Sequence, residues 1–193
     1  MKKTRAVKSR KRPTTVHDPR CRSHLKILVD EKAIRKRIRE LARQINRDYA
    51  GKTLHAVGIL EDGFVFMADL VRALTVPVVC CFVRSQVRDS DSGRVAMREV
   101  RYIPPVDAAG KDVLLVEGIL QSGITLDHLR RTLLAQQPAS LRTATLIDKR
   151  EDRKIDVPVD YVGFQLSGPS LVGYGLGYEG QFRNLPFLAR VTE

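Results

Sequence analysis

Chemistry in this chain concentrates where apolar stretches give way to glycine, hydroxyl and charged side chains. In Leu114–Thr125 (LLVEGILQSGIT), an apolar run leads to Glu117, then to Gln121, Ser122, Gly123, Ile124 and Thr125 at the start of a helical pattern. Backbone N–H groups at a helix start, flanked by small hydroxyls, suit the cradling of a phosphate. The same pattern also fits an ordinary strand-to-helix turn with Ser122 as its cap. In Gly58–Leu70 (GILEDGFVFMADL), Glu61, Asp62 and Gly63 occupy a second junction of this kind. Two adjacent carboxylates can hold a metal or simply favour a helix N-terminus through its dipole. Asp148-Lys149-Arg150 closes a third apolar run, and Leu171–Pro186 (LVGYGLGYEGQFRNLP) is glycine-rich and carries Arg183. His17, His24, His55 and His128 share no metal-ligand spacing.

Positioning these groups requires alternating strands and helices. Asp30 is a candidate N-cap for a helix over 31–49, whose Ile34, Ile38, Leu41, Ala42, Ile45 and Tyr49 fall on one face, with Gly51 closing it. Strands are predicted at 54–60, 76–83, 94–103, 112–116 and 141–147, with short ones at 161–166, 171–174 and 187–191; helices are predicted at 64–74 and 124–135. Such alternation implies a parallel sheet covered on both faces. Ligands bind beyond the carboxyl ends of such strands, which here means the loops after Leu60 and Val116.

Composition sets outer limits. The chain has 193 residues and a formal charge of +12, yet residues 1–23 hold nine basic side chains and one acidic one. Eight of the twelve excess charges therefore sit in a basic, disordered arm that cannot bury a core. That arm is either a nucleic-acid contact or a solvated tail. The folded domain is expected over 24–193. A hydrophobic fraction of 43% excludes a wholly disordered chain. The longest apolar run, 76–83 with Pro77 inside it, is too short to cross a bilayer, so no membrane partner is expected. Cys21, Cys80 and Cys81 make no disulfide framework, and the first residues lack the apolar core of a secretory leader. A reducing, cytoplasmic setting fits both.

Taken in order, ILVDEKAIRKRIRELARQINRDYAGK, VGILEDGFVFMADLVRAL, GKDVLLVEGILQSGITL, LIDKR, DYVGF and LVGYGLGYEGQFRNLP closely resemble the hypoxanthine(-guanine) phosphoribosyltransferases of the type I phosphoribosyltransferase family. The likeness spans about residues 25–193. It implies a mostly parallel twisted sheet flanked by helices, with a small hood formed by terminal segments, and a homodimer or tetramer. It also implies transfer of ribose 5-phosphate from phosphoribosyl pyrophosphate to a purine, with Mg²⁺ bridging.

Residue by residue, the resemblance implies Gln121, Ser122, Gly123, Ile124 and Thr125 at the phosphate, with Gln121 also at the catalytic position usually held by aspartate. Glu117 would keep one of two carboxylates on the ribose hydroxyls and weak metal contact, while Gly118 lacks the other. Glu61 stands where a lysine is usual, beside Asp62, Gly63 and Arg183 in the pyrophosphate region. Gln86 replaces the tyrosine of a mobile-loop Ser-Tyr pair. Lys149, Ser170 and Leu171 would face the purine, Ser170 replacing an aromatic residue. Gly177 replaces an aspartate that helps hold Mg²⁺. Those substitutions imply a degenerate site that binds a purine nucleotide or phosphoribosyl pyrophosphate with little transfer. The alternatives are an active purine-salvage transferase with Glu61, Asp62 and Glu117 as substitute Mg²⁺ ligands, and a nucleic-acid-binding protein acting through its arm.

Overall fold

The structure, a computed structural model, describes residues 25–88, 97–103 and 106–192. The basic arm, its boundary at residue 23 and the first three residues of the strand expected over 94–103 lie outside the described residues.

Asp30 does cap the first helix: its Oδ1 accepts from Ala33 N at 2.7 Å, and α1 runs over Glu31–Asp48. Ile34, Ile38, Leu41, Ala42 and Ile45 are buried, as their helical spacing requires. After α1 come β2 (Leu54–Leu60), α2 (Phe64–Ala73), β3 (Val78–Arg88), β4 (Met97–Ile103), β5 (Asp112–Leu120), α3 (Ile124–Leu134), β6 (Ser140–Asp148) and β7 (Tyr161–Gln165). β1 (Leu25–Val29) precedes α1, and β8 (Leu171–Val172) and β9 (Leu188–Val191) end the chain.

Six strands form one sheet in the order β4-β3-β2-β5-β6-β7. Five of them are parallel, and β4 returns antiparallel along β3. Alternation along the central strands divides the core. Leu54, Ala56, Leu114, Val116, Ala144 and Leu146 pack with α1 and α2 on one face. On the other, Val57, Ile59, Val113 and Leu115 meet Leu126, Leu129 and Leu133 of α3. All three α3 leucines are fully buried, each contributing about 1.5–3 kcal/mol against leaving it in water. The hood is a separate antiparallel sheet, β1-β9-β8, made from both ends of the described chain.

Two sequence expectations change here. β5 continues four residues past Val116, to Leu120, because β6 supplies ladder partners such as Thr145 for Glu117 and Asp148 for Leu120. Glu117 and Gly118 therefore lie on a strand, and the loop begins at Gln121. β3 likewise runs to Arg88 instead of ending at Val83, carried by pairing with β4. Sequence patterning also missed β1, whose partner β9 lies at the far end of the chain.

Candidate active site

Parallel register sets the site at one sheet edge. β2, β5 and β6 end together, releasing the loops 61–63, 121–123 and 149–153 side by side. Between the first two lies a cleft of 180 Å³ lined by Asp62, Glu117, Ile119, Leu120, Gln121, Ser122, Gly123, Thr125 and Leu126. Gly123 is left-handed (φ 81°) and opens α3 with no side-chain cap; Ser122 Oγ accepts only a long 3.4 Å bond from Ile124 N. The partial positive charge of the α3 N-terminus therefore faces a hydroxyl-bearing cleft.

A rim of alternating charges stands on the cleft's other side. Register places Arg84 of β3 beside Leu60, and its Nη2 donates to Glu61 Oε1 at 2.5 Å. Glu61 Oε2 also lies 3.5 Å from Arg183 Nη2, while Arg183 Nη1 donates to Asp62 Oδ1 and, at 2.6 Å, to the Gly175 carbonyl. Two arginines and two carboxylates thus neutralise one another. All four are 30–50% exposed, so each pair adds little stability.

Two glycines belong to this arrangement for steric reasons. A Cβ at Gly118 would meet the Asp62 carbonyl oxygen at 2.2 Å and its carbon at 2.5 Å. One at Gly177 would meet the Arg183 guanidinium carbon at 2.8 Å. The backbone of the 61–63 loop, which enters through a cis Leu60–Glu61 peptide, covers the first position, and a cation covers the second. Gly63 sits as tightly between two strands: a Cβ there would meet the Ile59 carbonyl oxygen of β2 at 2.7 Å and Gly118 N of β5 at 3.2 Å.

The remaining residues singled out from sequence do not line this cleft. Lys149 is buried, with Nζ paired to Asp152 and its N–H donating to the Leu120 carbonyl at 2.9 Å. Ser170 turns the chain into β8 with φ 53°, and Leu171, the first residue of that hood strand, is buried in the core that includes α1 and α2. Ile124 is 37% exposed at the head of α3. Gln86 lies on β3, opposite Glu99 of β4. Arg84 and Arg153 escaped sequence reasoning. The strand alignment of Leu60 with Arg84 was a usable signal for the first, and nothing local marked the second.

A Mg²⁺ ion does not fit these residues in the manner the resemblance implies. Gly177 offers no oxygen from a side chain and has a guanidinium against it, and Glu61 and Asp62 are engaged by Arg84 and Arg183. Among the described residues, no group of three or more His, Cys, Asp or Glu is placed to hold a metal. No described helix is long and apolar enough to cross a membrane.

Comparison with known proteins agrees with this architecture. The hypoxanthine phosphoribosyltransferase of Salmonella typhimurium is 39% identical over 172 residues, covering 87% of this chain and 96% of that one. The hypoxanthine-guanine phosphoribosyltransferase of Dictyostelium discoideum is 39% identical over 171 residues, covering 86% and 95%. A crystal structure of a hypoxanthine phosphoribosyltransferase from Staphylococcus aureus superposes with a TM-score of 0.82 at 32% identity, over 91% of this chain and 96% of that one. These relatives are named as transferases, which favours an active enzyme over the degenerate site implied by the substitutions. With residues 24–179 matching the phosphoribosyl transferase domain, the chain belongs to that family as a homologue of the hypoxanthine phosphoribosyltransferases.

Proposed function

We propose that this chain is a purine-salvage transferase with an altered acid set, moving the phosphoribosyl group of phosphoribosyl pyrophosphate to N9 of hypoxanthine or guanine, with pyrophosphate leaving as the new C1–N9 bond forms. The observation that carries this reading is the cleft that joins Glu117, Gln121 and the Ser122–Thr125 junction in one volume. Ser122, Gly123 and Thr125 hold the 5′-phosphate with backbone N–H groups and hydroxyls at the α3 N-terminus. Glu117 accepts from ribose hydroxyls. Lys149, released from Asp152, donates to an oxygen on the purine ring.

Gln121 sets the rate. A carboxylate can take the proton that the base sheds, whereas an amide cannot, so that proton passes to water instead. Loss of a positioned base slows a reaction by roughly 10²–10⁴. The amide in turn can donate to the bare N7 of a bound nucleotide, which a carboxylate cannot do. Absorbance-monitored nucleotide formation from hypoxanthine and phosphoribosyl pyrophosphate tests the reading. Turnover above the enzyme-free rate supports it, and none at millimolar substrate overturns it.

A second reading is favoured by the steric occlusion at Gly118 and the paired Arg183. On it, the site holds a purine nucleotide without transferring it, and calorimetry finds inosine monophosphate bound while the transfer assay stays silent. A homodimer or tetramer and a nucleic-acid contact through residues 1–23 are further parts of the proposal, the first resting on resemblance and the second on charge.

A further inference from the structure

Three consecutive carbonyls, of the last residue of β5 and the first two of the loop after it, are held by one neighbouring segment. Lys149 N–H donates to Leu120 O at 2.9 Å, Arg153 Nε to Gln121 O at 3.1 Å, and Lys154 and Ile155 N–H to Ser122 O, each at 3.0 Å. The peptide unit is planar and trans, so fixing each carbonyl also fixes the N–H that follows it. The N–H groups so oriented belong to Gln121, Ser122 and Gly123, all of which line the cleft.

Among these four restraints, only Arg153 acts through a side chain. Its anchor is Asp148, 3% exposed at the end of β6, which receives Arg153 Nη2 on one oxygen and Arg150 Nε at 3.1 Å on the other. The guanidinium thus spans a buried carboxylate and a loop carbonyl, a geometry a single ammonium cannot reproduce. Gly123 allows the close approach, since a Cβ there would meet Ile155 O at 2.5 Å and Arg153 Cδ at 3.1 Å. The same segment reaches the loop before Ser170: Glu151 Oε1 accepts from Gly168 N–H at 2.5 Å.

We propose that Arg153 is a positioning residue for phosphate binding, clamping the Gln121 carbonyl so that the Ser122 N–H is preorganised toward the ligand. This inference rests on the reading of the Ser122–Thr125 junction as the phosphate seat. Arg153 touches no ligand itself.

The test uses the full chain with inosine monophosphate in a calorimeter and thermal melting alongside. Arg153→Lys keeps the Asp148 ion pair but cannot also reach Gln121. It is expected to keep the melting temperature while weakening inosine monophosphate about tenfold, the worth of one charge-assisted hydrogen bond. Arg150→Gln removes the other Asp148 partner and leaves the loop alone, so its affinity is expected to match the wild type. In the transfer assay, Arg153→Lys is expected to raise KM for phosphoribosyl pyrophosphate more than it lowers kcat. Wild-type affinity in Arg153→Lys, or equal losses in Arg153→Lys and Arg150→Gln, overturns the inference alone. Failure of the wild type to bind inosine monophosphate overturns the phosphate seat and this inference with it.

Discussion

Replacing Gly118 with alanine probes how the loop 61–63 is seated on β5. The new Cβ would lie 2.2 Å from the Asp62 carbonyl oxygen, 2.5 Å from its carbon and 3.0 Å from Gly63 N. Ordinary contact needs roughly 1 Å more, and both obstacles are backbone, so the loop must move as a unit. Overpacking of this kind costs about 1–3 kcal/mol. For a domain of this size that lowers Tm by roughly 3–10 °C. Displacement also carries Asp62 away from Arg183 and out of the cleft wall. A 1 Å misplacement near reacting groups costs up to about 10² in rate. Melting by circular dichroism and the transfer assay on the same preparation measure both effects. A Gly118→Ala chain that melts and turns over like the wild type would show that the 61–63 loop is not seated on Gly118. It follows that Gly118→Asp does not simply restore a second carboxylate: it must first evict the 61–63 loop.

Other consequences are as direct. Gln121→Asp restores a proton acceptor in the cleft and is expected to raise turnover with hypoxanthine by roughly 10²–10⁴, read in the same absorbance assay. The Tyr161 hydroxyl, 2.6 Å from Asp48, is the largest cause holding that carboxyl below its ordinary value of 3.8, ahead of Arg142. A depressed carboxylate stabilises the fold above its unfolded pKa and loses that stabilisation as pH falls through its folded one. Tyr161→Phe is therefore expected to cost about 1 kcal/mol in urea unfolding at pH 7 and less at pH 3; an equal cost at both would count against the assignment. Deleting residues 1–23 removes eight net positive charges and is expected to abolish salt-sensitive binding to duplex DNA, measured by anisotropy at 50 and 200 mM salt.

Sequence pattern revealed what is local. Asp30 announced α1, the helical spacing of Ile34 through Ile45 announced its buried face, and the apolar run 112–116 announced the core of β5. Its last turn of strand was hidden because Glu117 and Gly118 are poor strand formers on their own, and their ladder partner lies on β6. β1 stayed invisible for the same reason, being a five-residue strand made stable by β9. At the site, the run from Gln121 to Thr125, all of it but Ile124 lining the cleft, was legible as a strand-to-helix junction. The charge rim was legible only in part: resemblance grouped Glu61, Asp62 and Arg183, whereas Arg84 reaches Glu61 from β3, beyond the predicted end of that strand. Nor could the sequence reveal that Gly118 and Gly177 face a loop backbone and a guanidinium. Those contacts turn two apparent losses into parts of one packed arrangement.

The central claim is that the Ser122–Thr125 junction seats a phosphate while Lys149 reads the purine. A crystal structure of the chain with inosine monophosphate tests it most directly. The phosphate is expected within hydrogen-bond distance of the Ser122 and Gly123 N–H groups, with Lys149 Nζ turned from Asp152 to the purine oxygen. A nucleotide bound elsewhere, or a phosphate away from this junction, would contradict it.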